Sequence, residues 1–359
     1  MTSSPAPNDQ PVGALKALIV GLGSIGQRHV RNLRTLLGDR VQITAYRANR
    51  YSPIIGDRLN AQGVGTVEDE YQVDSFTSLE RALAARPDVA FICNPSSLHL
   101  PVALACAEAG CDLFIEKPVA AALDGIETLL DLVRSKRLIA AVGCQLRFHP
   151  ALAMLKRHVD EASIGPALAV RAEVGEYLPD WHPYEDYRRS YAARRSLGGG
   201  VILTLIHEID YLAWLFGVPR RVFAVGGHLS GLEMDVEDVA SILAECSAAG
   251  RTVPVHLQMD YLRRPPRRTC SVLGEAGSLD LDLRQHSLTL TTIKGEQVTL
   301  FEDARLDRNT LFLAELSDFL AACSERRQAR VTLNDGITAV RVAMAAHQSI
   351  RTGNLVEIA

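Results

Sequence analysis

The stretch "ALIVGLGSIGQRHVRNLRTLL" constrains this chain more than any other. A short apolar run enters three glycines, Gly21, Gly23 and Gly26, in the spacing G-x-G-x-x-G, and apolar residues at helical spacing follow. Between a strand and a helix each glycine has its own task. Gly21 permits a tight turn, Gly23 lets an anion approach the backbone, and Gly26 lets the helix pack closely on the strand. The N-terminus of that helix favours negative charge. Gly21, Gly23, Ser24, Ile25 and Gly26 are therefore expected around the pyrophosphate of a dinucleotide.

The pattern then repeats. "VQITAY", "VAFIC", "LFIEK" and "LIAAVGC" read as further strands, separated by helical stretches such as "HLPVALACAEAG" and "LDGIETLLDLVRS". Such alternation argues for a parallel sheet covered on both faces, a doubly wound Rossmann domain. After His149 the character changes. Strand-like runs follow one another with short polar breaks, which suggests a largely antiparallel sheet. One long apolar stretch, "GGGVILTLIHEIDYLAWLFG", reads as a single helix between glycines. The fold class is thus α/β: a Rossmann domain over residues 16–147, then an α/β domain with an open, mainly antiparallel sheet over 148–359. The last helices of that second domain are free to pack back on the first. Residues 1–15 read as a disordered, proline-containing tail without the apolar core of a signal peptide.

The 359 residues carry a formal net charge of -4, which gives no electrostatic reason to expect nucleic acid or a membrane surface as partner. Seven cysteines form no CxxC pair. They read as reduced thiols in a cytoplasmic protein, with no metal site. Arginine clusters at Arg188–Arg189 and Arg263–Arg268 read as solvated loops, with an anion contact as the sharper alternative.

The second strand ends in "ITAYRANRYS", without the acid that ordinarily binds the adenine ribose. Arg47 and Arg50 stand there instead and suit a 2′-phosphate, which favours NADP over NAD. Lys117 follows the strand "LFIEK", at the sheet edge where ligands bind. An ammonium there can bind and polarise a hydroxyl or carbonyl oxygen, with Glu116 holding it in place. The loop "PDWHPYEDYRRSYAARRS" offers Trp181 and Tyr191 as faces for a sugar ring, or serves as a structural arm.

The pieces "VGLGSIGQRH", "ICNPSSLH", "AGCDLFIEKPVA", "GCQLRFHP" and "GGGVILTLIHEIDYLAWLFG", in that order, make the chain resemble the Gfo/Idh/MocA family. Its members include glucose–fructose oxidoreductase, inositol dehydrogenase and MocA-type rhizopine proteins. The resemblance implies an NADP- or NAD-dependent oxidoreductase acting on a hydroxyl or keto carbon of a sugar, with Lys117 near the reacting oxygen. It matches Asn94, Pro95 and His99 to the segment passing the nicotinamide ribose. It matches Arg147 to the start of the active-site wall, and His207 to the family histidine that faces substrate. Asp210 lies three residues on, so it shares a helix face with His207 and either orients the imidazole, contacts substrate or is a surface carboxylate. Many members carry an aspartate three or four residues before that histidine, where this chain has Leu203 and Thr204. Thr204 retains only hydrogen bonding to substrate. The departure keeps open a second reading, a cofactor- or sugar-binding regulator with weak or no turnover. The resemblance also implies that the second domain binds substrate, an acidic or nucleotide-linked sugar, and joins subunits into a homodimer or homotetramer through its open sheet.

Overall fold

The structure, a computed structural model, describes residues 14–48, 53–56, 61–62, 65–248 and 250–358. The expected N-terminal tail and Arg50 lie outside or almost wholly outside them.

Among the described residues, six parallel strands make the first sheet: Leu15–Val20, Val41–Tyr46, Asp74–Phe76, Val89–Ile92, Asp112–Glu116 and Ala140–Gly143. Their spatial order is third, second, first, fourth, fifth, sixth. The chain therefore reverses direction across the sheet between the first and fourth strands, which opens a crevice at their carboxyl ends. The short third strand, Asp74–Phe76, has no long apolar run and escapes the sequence pattern. Helix Ser24–Leu37 buries Gly26, Val30 and Leu33 against the sheet and stops at Gly38, which has a positive φ of 57°.

A nine-stranded sheet forms the second half, all antiparallel except that Ala167–Gly175 runs parallel to Arg251–Asp260. Helices Pro150–Asp160, His207–Phe216 and Leu333–Thr352 cover one face. The other face exposes Phe223, Val225, Leu243 and Leu273. The helix Arg308–Glu325 returns to the first sheet. It inserts Leu316 and Phe319 among Phe91 and Phe114, with ring centroids 5.7 and 5.4 Å apart at steep angles. The strand edge at Val142 then bonds the Val331 carbonyl at 3.3 Å.

Two expectations are corrected here. The apolar stretch after the glycines is two helices, Val201–Thr204 and His207–Phe216, and the segment Arg195–Thr204 meets the second at a bend of 47°. The arginines of 263–268 have partners within the protein, although Arg264 and Arg267 stay exposed. Arg263 and Arg267 pair with Glu173, Arg268 with Glu208, and Arg264 lies 3.6 Å from the centre of the Tyr177 ring. Among the described residues no single helix is long and apolar enough to cross a membrane.

Candidate active site

The carboxyl ends of the first, fourth and fifth strands bring the glycine turn, Asn94 and Lys117 to one crevice. The Gly21 amide donates to the Tyr46 carbonyl at 2.9 Å, and Gly21 has a positive φ of 91°. A β-carbon on it would press to 3.1 Å on the Asn94 amide nitrogen. A β-carbon on Gly26 would lie inside the van der Waals radius of the Gly21 carbonyl oxygen, so the helix can approach only as glycine. Gly23 is different: its side faces open space, with no protein atom within 4 Å of a β-carbon. It precedes a helix with no side-chain cap and no acid in the first turn. This is a cradle for an anion against bare N–H groups, and it fits a dinucleotide pyrophosphate. Tyr184, from the aromatic loop, lies beside Ser24, and burial pushes its phenol up to about 12.

Several sequence-derived residues stand elsewhere than expected. Arg47 is buried, 3 % exposed, and its Nη1 donates to both carboxylate oxygens of Glu68 at 2.7 and 2.8 Å. It is thereby drawn away from a cofactor phosphate. Glu116 does not hold Lys117. Its Oε1 lies 2.8 Å from His29 Nε2, on the helix side of the sheet, and its carboxyl packs on Gly143. His99 is buried, with its two ring nitrogens 2.6 Å from the Pro118 carbonyl and 2.7 Å from the Asn94 carbonyl. A neutral ring can donate to only one of them, and burial lowers the pKa of His99. His99 thus ties the fourth-strand loop to the fifth and shapes the crevice from behind. Pro95 leads the short turn Ser96–Leu98 that carries this tie.

Arg147 and Asp210 also turn away from the crevice. Arg147 Nε and Nη2 donate to the two Asp210 oxygens at 2.9 and 2.7 Å, and its Nη1 lies 3.1 Å from Asp335. Arg147 is 3 % exposed and Asp210 1 %. The pair joins the sixth-strand loop to two helices of the second domain. It neither orients His207 nor forms an open pocket wall.

What does converge is Lys117, Thr204 and His207. The bend between the two short helices leaves the Thr204 carbonyl without a helical N–H partner, and Lys117 Nζ donates to it at 2.8 Å. The Thr204 side chain does not make this contact; its Oγ1 is buried without a hydrogen-bond partner. His207 is 5 % exposed, and its Nδ1 is likewise unpaired. Burial, with Lys117, Arg268 and Arg308 nearby, holds its imidazole well below the usual range. It is neutral at pH 7. The buried Asn94 Oδ1 and Trp181 Nε1 are also without partners. Unpaired buried polar groups carry a penalty, and a hydroxyl-rich ligand is the kind of molecule that satisfies them. Trp181 stands edge-on to Tyr261 at 5.3 Å, and both Trp181 and Tyr191 are half-buried. The glycines before the helix permit this closure. Gly198 packs on Ser96 and Ala121, Gly199 on the Tyr191 and Ala192 carbonyls, and Gly200 on Glu237.

Sequence reasoning noted Arg268 only within a basic cluster and missed Arg308; both act on His207, and Glu208 pairs with Arg268. No motif or periodicity links these residues, because they come from three distant elements.

Residues 15–144 match a family model described as an oxidoreductase family with an NAD-binding Rossmann fold. Residues 152–280 match the GFO/IDH/MocA C-terminal domain. The chain is 24 % identical to scyllo-inositol 2-dehydrogenase (NAD(+)) of Bacillus subtilis over 96 % of both chains. It is 26 % identical to UDP-N-acetylglucosamine 3-dehydrogenase of Acidithiobacillus ferrooxidans, covering 92 % of this chain and 94 % of that one. The fold is shared with levoglucosan dehydrogenase in complex with NADH and levoglucosan (TM-score 0.78, 20 % identity, 96 % and 99 % of the two chains).

Proposed function

The chain belongs to the Gfo/Idh/MocA oxidoreductase family, and on that premise we propose that it moves a hydride between a nicotinamide and a hydroxyl or keto carbon of a sugar or sugar derivative. The observation that carries the reading is the meeting of Lys117 and a neutral His207 at the crevice of the first sheet. A bound nicotinamide dinucleotide supplies the hydride acceptor or donor. Lys117 keeps one ammonium proton on the Thr204 carbonyl and directs the others at the reacting oxygen, stabilising charge that develops there. His207, neutral and beside that ammonium, accepts the hydroxyl proton during oxidation and returns it during reduction. Gly21, Gly23, Ser24, Ile25 and Gly26 hold the pyrophosphate, with Asn94 and Pro95 beside it. Trp181, Tyr191 and Thr204 line the sugar side.

The preference for NADP rests on Arg50 and on the missing acid after Tyr46, since Arg47 is engaged by Glu68. Parallel titration with NADH and NADPH decides it. We place the enzyme in the cytoplasm, a reading supported by its free and mostly buried thiols. We also assign it a homodimer or homotetramer through the open sheet face. Phe223 lies opposite Leu243 on neighbouring strands there, and both are exposed. Light scattering measures the assembly. Neither nucleic acid nor membrane enters the reading.

Lys117→Ala is the direct test. It should retain cofactor affinity and lose turnover by roughly 10²–10⁴-fold, the scale of one positioned acid–base group. Undiminished turnover on any sugar the parent oxidises overturns the assignment. Cofactor and sugar binding by the parent without turnover would instead favour the regulator that Thr204, in place of an aspartate, keeps in view.

A further inference from the structure

The helix that presents the Thr204 carbonyl to Lys117 is too short to hold itself in place. Val201–Thr204 is four residues long, and one turn of helix gains too few hydrogen bonds to offset the ordering of its backbone. Its first N–H groups have no partner inside the helix. Gly200, its N-cap, has no side chain to supply one. A group outside the helix must therefore fix it.

Glu237 does so, from the loop before strand Val239–Ala248. Its main-chain carbonyl accepts from the Val201 amide at 3.0 Å, and its Oε1 accepts from the Ile202 amide at 3.1 Å. The same oxygen lies 3.1 Å from Nε2 of His347, on helix Leu333–Thr352. The fit is close: Gly200 has a positive φ of 109°, and a β-carbon on it would overlap the Glu237 carboxylate. The backbone that carries Glu237 is itself anchored. The next residue, Asp238, is fully buried and accepts from the Leu229 and Ser230 amides at 2.8 and 3.1 Å. The Tyr261 amide donates to the Asp238 carbonyl at 2.9 Å.

The short helix is thus bound at both ends. A carboxylate holds its first amides, and the Lys117 ammonium holds its last carbonyl at 2.8 Å. Negative charge at the start and positive charge at the end both agree with the helix dipole. A shift at one end moves the other, because a single turn of helix lies between them. Misplacing a reacting group by about 1 Å can cost on the order of a hundredfold in rate.

We propose that Glu237 is a positioning residue for hydride transfer: by clamping the first turn of helix Val201–Thr204 it fixes the Thr204 carbonyl, and through it the direction in which Lys117 points its remaining protons. This inference rests on the reading of Lys117 as the group that binds the reacting oxygen. Glu237 acts through the helix and the lysine, and His347 steadies its carboxylate.

The test compares Glu237→Ala and Glu237→Gln with the parent in two readouts. One is kcat on whichever of glucose, myo-inositol and UDP-N-acetylglucosamine the parent oxidises. The other needs no turnover: the rate at which an N-hydroxysuccinimide ester acetylates Lys117, followed by peptide mass spectrometry. Glu237→Ala should lower kcat roughly ten- to hundredfold with NADH affinity unchanged. It should speed acetylation of Lys117 by roughly tenfold, the scale of one charge-assisted hydrogen bond. Glu237→Gln keeps an oxygen for the Ile202 amide and turns its NH₂ group to the His347 ring, so it should retain most of kcat and the parent's labelling rate. In the Lys117→Ala background, Glu237→Ala should cost no further turnover. A cap that served stability alone would lower both backgrounds alike. Glu237→Asp, one methylene shorter, should act as a milder Glu237→Ala, and serves if that variant does not fold. Unchanged kcat and labelling in Glu237→Ala or Glu237→Asp, an equal loss in the Lys117→Ala background, or a loss in Glu237→Gln as large as in Glu237→Ala overturns the proposal. Faster labelling in Glu237→Ala, with no sugar turned over by the parent, would refute the oxidoreductase reading and leave the positioning standing. Turnover lost in Lys117→Ala, with Glu237→Ala like the parent in both readouts, does the reverse.

Discussion

Gly23 separates what the cofactor requires from what the fold requires. Its backbone is extended (φ -71°, ψ -169°), which alanine adopts without strain, and a β-carbon there meets no protein atom within 4 Å. Two small effects on stability oppose each other in Gly23→Ala. Restricting the unfolded chain stabilises by ~0.4–1 kcal/mol. Gly23 is also the N-cap of its helix, where alanine is worse than glycine by a similar amount, up to ~1 kcal/mol. The net is close to zero, so the variant should melt within about 2–4 °C of the parent. For the ligand nothing cancels. The new methyl stands where a pyrophosphate must pass to reach the first-turn N–H groups. Losing one charge-assisted hydrogen bond of ~1.5–3 kcal/mol weakens binding by roughly ten- to hundredfold.

Thermal melts with and without NADH and NADPH read both effects at once. At about 100 times its Kd a ligand stabilises the parent by ~2.7 kcal/mol. At the same concentration a hundredfold weaker variant retains only ~0.4 kcal/mol, so its melting shift nearly vanishes. Gly26→Ala is the contrasting case. Its β-carbon meets the Gly21 carbonyl, so it should lose ~1–3 kcal/mol even without cofactor. A Gly23→Ala protein that keeps the parent's cofactor-dependent shift would refute the placement of the pyrophosphate at this turn.

Other outcomes follow from the buried groups. Arg147→Ala leaves the Asp210 carboxylate buried without its partner and should cost ~3–5 kcal/mol in urea unfolding. The double variant Arg147→Met, Asp210→Leu should recover most of that. A raised KM with intact stability in Arg147→Ala would mean that Arg147 holds substrate after all. His149 accepts from the Ala151 amide through Nδ1 at 3.1 Å, and burial pushes its pKa down to about 4. The unfolded chain binds the proton near pH 6.5 and the folded chain does not. Stability should therefore fall as pH drops from 6.5 toward 4, at up to ~1.4 kcal/mol per pH unit from this group. His149→Asn keeps a helix cap and should flatten that slope in pH-dependent unfolding; an unchanged slope would assign it to other groups, such as His99 and His207.

The first sheet was legible because most of its strands are local apolar runs bounded by polar, glycine or proline residues, and each run carries its own evidence of period and length. The glycine turn and Lys117 were legible for the same reason: their meaning depends on position relative to one strand end. Asp74–Phe76 was not, because three residues carry no period. The bend after Thr204 was not, because apolar residues continue through it and no glycine or proline marks where the first helix stops. Pairings across the chain were the least legible. Glu116 and Lys117 are adjacent and look like partners in sequence, yet they separate at the strand end, one to His29 and the other to Thr204. Asp210 shares a helix face with His207, yet an arginine 63 positions earlier takes it. A charge finds its partner through topology, which spacing along the chain does not encode.

The missing aspartate acquires a physical sense from these pairings. A carboxylate before His207 would compensate the Lys117 ammonium and draw protons toward the imidazole. A backbone carbonyl holds the same ammonium in place without cancelling its charge. The uncancelled charge then acts with Arg268 and Arg308, behind burial, to keep His207 neutral. Neutral imidazole is the form that can take a proton from a hydroxyl.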